Sequence, residues 1–175
     1  MEFKLDLALE ILEQTPKVIN ELAGSVSPDW TDKNEGENTW SPYEIVGHLI
    51  HGEKTDWIPR IKIILSQKSD KRFKPFDRFA QINESKGKSM KQLVEEFTVI
   101  RKQNLGILRS LKIKDSDLNR KGLHPVFGEV NLRQLLSTWV VHDLGHIAQI
   151  SRTMSTQYKS EVGPWIQYLG VLTKY

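Results

Sequence analysis

The stretch Leu132-Arg-Gln-Leu-Leu-Ser-Thr-Trp-Val-Val-His142-Asp-Leu-Gly-His146-Ile-Ala-Gln-Ile-Ser-Arg-Thr-Met154 decides how the chain folds. Leu132, Leu135, Leu136, Trp139, Ile147 and Ile150 recur at three- and four-residue steps, the period of one face of an α-helix. Asn131 is a good N-cap, because its short amide can accept from the unpaired backbone N–H groups of a first turn. A helix is therefore expected from Asn131 to about Met154. His146 falls within its apolar stripe, His142 lies at the edge beside Leu135 and Gln149, and Asp143 sits near the middle.

The same period marks three more helices. The first covers roughly Phe3 to Ala23, with Leu5, Leu9, Leu12, Val18, Ile19 and Leu22 as its apolar set, and Pro16 is expected to kink or split it. The second opens on Ser41 as N-cap, with Pro42 at the first helical position and Glu44 completing a capping box. It runs through Ile45, Val46, Leu49, Ile50, Trp57, Ile61 and Ile64, and Pro59 should bend it rather than end it. The third begins near Ser89 and carries Leu93, Val94, Phe97, Ile100, Leu105, Leu108 and Leu111. Loops are read at Ser25–Thr39, at Gln67–Gly87 with Phe73, Pro75, Phe76 and Phe79, and at Lys112–Val130 with turn points at Lys121-Gly122 and Phe127-Gly128. Pro164–Leu172 adds one more short helical piece. No convincing two-residue alternation occurs. The expected fold is all-α, a four-helix bundle with long crossover loops, in a single domain over residues 1–175.

Composition narrows the chemistry. A chain of 175 residues, 38% hydrophobic and 27% charged, reads as one soluble globular domain. It has no cysteine, so neither disulfides nor protein thiolate ligands are available. The net charge of +3 is modest and no helix face concentrates Lys and Arg, so nucleic-acid binding is not expected. Lys68, Lys71, Arg72 and Lys74, and again Lys86, Lys88 and Lys91, read as a solvated loop and a solvated helix start. No apolar run could span a bilayer, and Met1-Glu-Phe-Lys-Leu-Asp6 lacks a signal-peptide core, so a cytoplasmic location is expected.

His142 and His146, four residues apart, stand one turn apart on one helix face, where both imidazoles can reach one metal ion. A third nitrogen from the second helix would complete a set of three and leave positions open for water or substrate. Helical periodicity does not choose His48 over His51 for that role. Gly47 and Gly52, poor helix formers beside His48, suggest a close backbone approach, room for a ligand, or simply tolerated packing. Asp143 needs a partner in an apolar stripe. Either the outer ring N–H of a metal-bound histidine or a buried salt bridge would serve.

Four segments together resemble the DinB/YfiT-like superfamily: Trp40-Ser-Pro-Tyr-Glu-Ile-Val-Gly-His48-Leu, Pro75-Phe-Asp77, His124-Pro-Val-Phe-Gly-Glu-Val-Asn-Leu, and His142-Asp-Leu-Gly-His146-Ile-Ala-Gln149-Ile. The resemblance implies a four-helix bundle, often homodimeric, with one divalent metal ion, zinc or nickel first, bound by His48, His142 and His146. It implies no ligand role for His51, for which a surface place is expected, or for His124. Members include thiol-dependent S-transferases, a maleylpyruvate isomerase and metal-dependent hydrolases.

A metal on three histidines can lower the pKa of a small-molecule thiol or of water. With no cysteine of its own, the chain would take the thiol as a cosubstrate. The leading expectation is a metal-dependent transferase joining a low-molecular-weight thiol to a small electrophile. A metal-dependent hydrolase of a small ester or amide is the alternative, and a non-catalytic metal-binding stress protein the third. Lys71, Arg72 and Lys74, with Arg60, are candidates to receive the thiol's carboxylates. The expected partners are a small-molecule substrate and a second copy of the chain, with no membrane.

Overall fold

The computed structural model describes residues 1–173. In chain order its helices are α1 (Leu5–Ala23), α2 (Pro28–Thr31), α3 (Pro42–Thr55), α4 (Trp57–Leu65), α5 (Ala80–Glu84), α6 (Met90–Ser110), α7 (Leu132–Thr156) and α8 (Gly170–Thr173). The long helices start where their caps are. Ser41 with Glu44, Ser89 with Gln92, and Asn131 with Gln134 each form a reciprocal capping box, an arrangement worth about 1 kcal/mol. The second predicted helix is α3 and α4 together, bent at Asp56, three residues before Pro59. The C-terminal helical piece is a 3₁₀ turn, Gly163–Tyr168, followed by α8.

α1 makes its principal contacts with α6 and α7, and α3, besides the short helix α5, packs on the same two long helices α6 and α7. Helices α1 and α3 are thus diagonal in the bundle, as are α6 and α7. Each diagonal step needs a long connection, which accounts for the crossover loops at both places. No helix among the described residues is long and apolar enough to cross a membrane.

Two apolar clusters fill the bundle. One gathers Leu12, Trp57, Ile61, Leu105, Leu108, Leu132, Leu136 and Trp139; the other gathers Ile19, Ile45, Val46, Leu49, Leu93, Phe97 and Ile150. A polar layer divides them at one level of the four long helices α1, α3, α6 and α7. It comprises Thr15 and Pro16 on α1, Glu53 on α3, Arg101 and Asn104 on α6, and Asp143 on α7, and the side chains of Glu53, Arg101 and Asp143 are almost wholly buried.

Pro16 neither kinks α1 into two pieces nor ends it, since the helix runs unbroken from Leu5 to Ala23. A proline removes the N–H that would serve the carbonyl four residues earlier. Here that carbonyl, Leu12 O, accepts from Nη1 of Arg101 at 2.9 Å. Val18, expected in the apolar set, is 41% exposed, and Ala8 and Thr15 are buried on that face instead.

The Lys112–Val130 loop holds a 3₁₀ turn at Asp115–Asn119 and a hairpin of strands β1 (Lys121–His124) and β2 (Gly128–Asn131). Strands of four residues are too short to show an alternation. Gly128 turns the hairpin at φ 72°, a region open to glycine. Gly122 is no turn point: it lies inside β1, where a Cβ would come within 2.5 Å of the Phe73 ring. Backbone bonds from Phe73 N to Leu123 O and from Leu123 N to Lys71 O tie the preceding loop to β1 and seat that ring.

Candidate metal centre

His48 projects from α3 and His142 and His146 from α7. Nε2 of His142 lies 3.1 Å from Nε2 of His48 and 3.1 Å from Nε2 of His146. The structure thus groups the three histidines that the resemblance selected and leaves His51 out. His51 is not at the surface. It is buried, and its Nδ1 lies 3.1 Å from Oε1 of Glu84 on α5. His124, in the hairpin, accepts at Nδ1 from the backbone N–H groups of Val126 and Phe127, and its ring stacks on Phe127.

The convergent nitrogens are suited to a cation. Burial first, and then its histidine neighbours, push the His48 pKa down to about 3. Burial and His142 push His146 down to about 4. Both rings are therefore neutral near pH 7, as metal ligands must be. Oε1 of Gln149 accepts from Nδ1 of His146 at 2.9 Å, which leaves the Nε2 lone pair facing the centre. On His142, Nδ1 faces Oδ1 of Asp143 at 3.9 Å, beyond hydrogen-bond reach. Zinc–nitrogen bonds of about 2.0–2.1 Å at tetrahedral angles would hold such nitrogens about 3.4 Å apart, close to the spacing found. His48, His142 and His146 can hold one divalent ion with further positions open.

These depressed values predict a pH dependence for the metal-free protein. Between pH 6.5 and 5 the unfolded chain takes up protons that folded His48 and His146 refuse, so stability falls as pH falls. Each histidine contributes about 1.4 kcal/mol per pH unit once its unfolded form is largely protonated. Urea unfolding across this range should show the loss, and His48→Gln should roughly halve its slope. A flat wild-type profile would contradict the assignment.

Asp143 has found the buried salt bridge of its two possible partners. Its oxygens take bonds of 2.6 and 3.1 Å from Arg101, which also donates to Glu53 at 2.9 Å. Asn104 and Nε1 of Trp139 complete the coordination of Glu53. Burial pushes the Glu53 carboxyl up and Arg101 opposes it. At Asp143 burial also raises the value, but the charge and hydrogen bonds of Arg101 oppose it, and the carboxyl is held below its usual range. Neither Arg101 nor Glu53 was singled out in the sequence.

The centre opens into a cavity of about 440 Å³ whose wall includes Trp40, Trp57, Phe73, Phe76 and Phe127. Gly52 lines it and leaves room, whereas at Gly47 a Cβ would fall 2.4 Å from Oγ of Ser85, a close approach of α3 to the following loop. Asp56 and Arg60 also line the cavity and pair at 2.6 Å. Burial raises the Asp56 carboxyl against the pull of Arg60. The other expected basic residues stay outside the lining: Lys71 donates to Ile64 O, Arg72 pairs with Asp70, and Lys74 is exposed. Arg78, absent from that expectation, lines the cavity instead.

Among solved structures, YfiT from Bacillus subtilis, described as a probable metal-dependent hydrolase with an unusual four-helix bundle topology, matches with a TM-score of 0.73. The match is 17% identical and covers 91% of this chain and 90% of that one, a likeness of fold. No curated protein matches the sequence. The family model of the DinB superfamily matches residues 11–150, including all three histidines and the cavity around them. The chain belongs to the DinB superfamily.

Proposed function

We propose that this protein is a metal-dependent transferase that joins a low-molecular-weight thiol to a small electrophile. The observation that carries the reading is the meeting of three Nε2 atoms in a largely aromatic cavity. A divalent ion, zinc or nickel first as the resemblance implies, would lower the pKa of a bound thiol and supply a nucleophile at neutral pH.

The chain's own residues would divide the remaining work. His48, His142 and His146 would hold the ion, with Gln149 orienting His146. The rings of Trp40, Trp57 and Phe76 would exclude water and receive an apolar electrophile. Asp56, with its raised carboxyl in the cavity wall, is suited to take the thiol proton. With no cysteine in the chain, the sulfur must come from the cosubstrate. In this reading the enzyme works as a cytoplasmic homodimer on small molecules, without nucleic acid or membrane.

The same Asp56 also favours a second reading, a metal-dependent hydrolase in which it serves as base toward water. Metal-loaded protein should be given a chlorodinitrobenzene electrophile with a panel of cellular thiols, and separately a p-nitrophenyl ester without thiol. Conjugation that needs both metal and thiol is expected. Ester turnover without thiol would replace this reading with the hydrolase, and turnover of neither would leave a non-catalytic metal-binding protein.

A further inference from the structure

Two cations line the cavity, and their situations differ. Arg60 is neutralised by Asp56 at 2.6 Å and lies over the Phe73 ring at 5.2 Å. Arg78 lies over the Trp40 ring at 5.5 Å and the Phe79 ring at 5.2 Å, and no carboxylate among the described residues pairs with it. Asp77, next to it in sequence, is engaged at Oδ1 by the backbone N–H of Phe79. Of the two arginines in the lining, Arg78 is thus the one whose charge no described carboxylate offsets.

Its position relates it to the metal centre. The Trp40 ring that carries the Arg78 guanidinium also meets the His48 ring, at 4.7 Å between centroids, and Phe76 meets His48 edge-on at 5.4 Å. A guanidinium stacked on rings keeps its N–H edge free, and that edge matches the oxygens of a carboxylate or similar oxyanion. Stacking also limits the freedom the side chain would lose on binding.

We propose that the cavity takes an organic anion, with its oxyanion on Arg78, its apolar body against Trp40 and Phe76, and its reacting atom toward the three histidines. This rests on reading the cavity as the substrate site, and it names the substrate class. Arg78 becomes the specificity-determining residue, in place of Lys71, Arg72 and Lys74.

The test uses metal-free protein and two matched probes, 2-naphthoate and the neutral 2-naphthamide, titrated by calorimetry. Wild type should bind the anion about tenfold more tightly, the worth of one charge-assisted bond. In Arg78→Gln the two probes should bind within about twofold of each other, while Arg78→Lys keeps most of the preference because its charge remains. Arg72→Gln, outside the cavity, should leave the preference intact, and added salt should weaken it. A preference that survives in Arg78→Gln, or is absent from wild type, would overturn the proposal. Neither probe needs a metal ion, so failed thiol conjugation would bring down the transferase reading and leave this result standing. Conversely, conjugation that persists without any anion preference would remove only the Arg78 site.

Discussion

Arg101→Met is expected to destabilise the protein by about 3–5 kcal/mol, the cost of breaking a buried ion pair from one side. The guanidinium is 1% exposed and bonds to each of the other three bundle helices. It donates to the carbonyl of Leu12 that Pro16 leaves free on α1, to Glu53 on α3 and to Asp143 on α7. Methionine fills much of the volume and supplies none of the donors. Asp143 would lose both of its Arg101 bonds, whereas Glu53 keeps Asn104 and Trp139. At roughly 2–4 °C per kcal/mol for a chain of this size, the melting temperature should fall by about 6–20 °C. The triple variant Glu53→Gln/Arg101→Met/Asp143→Asn should recover part of the loss, because it buries no unpaired charge. A loss below about 1 kcal/mol in urea unfolding of Arg101→Met would show that the layer does not tie the helices together.

That layer also marks where the sequence stops being readable. The bundle was legible because the Ser41–Glu44 capping box, the Asn131 N-cap and the apolar period are local signals, each carried within a few residues. Asp143 was legible as an anomaly, a carboxylate in an apolar stripe, but its partner was not. Arg101 lies 42 residues away in sequence, flanked by Ile100 and Lys102, and nothing local separates it from a solvated arginine. Pro16 was read as a kink or a split because the donor that serves Leu12 O comes from another helix. His142 and His146 could be paired by spacing, whereas the choice of His48 over His51 came from resemblance. The reason is tertiary: α5 and Glu84 engage His51, and α7 faces His48. The basic loop misled for a related reason. Charge density singled out Lys71, Arg72 and Lys74, but the residues of this loop that wall the cavity are Phe73, Phe76 and Arg78, the first seated by the backbone bonds to β1. Gly122 looked like a turn because its need for space comes from Phe73, 49 positions earlier in the chain.

Zinc or nickel at about a thousand times its dissociation constant should stabilise the wild-type protein by about 4 kcal/mol through mass action. For this chain length that is a rise of about 8–16 °C in melting temperature. In His142→Ala the rise should disappear. His142 is the ligand whose loss matters most, since its Nε2 is the one that lies 3.1 Å from both others, and removing it leaves two nitrogens on different helices. Gln149→Leu is a gentler test of the same geometry. The ring of His146 stays, but the acceptor that keeps its Nδ1 protonated is gone, and affinity should weaken by about 10–100-fold. His51→Ala should keep the full increment, because His51 is bonded to Glu84 and lies outside the group. The comparison reads the increment on adding metal, so a change in the metal-free stability of any variant does not disturb it. An equal rise in wild type and His142→Ala would place the ion elsewhere. No rise in wild type would leave the three imidazoles as a packing arrangement whose desolvated nitrogens cost stability, with the pH dependence of the metal-free protein as their one measurable trace.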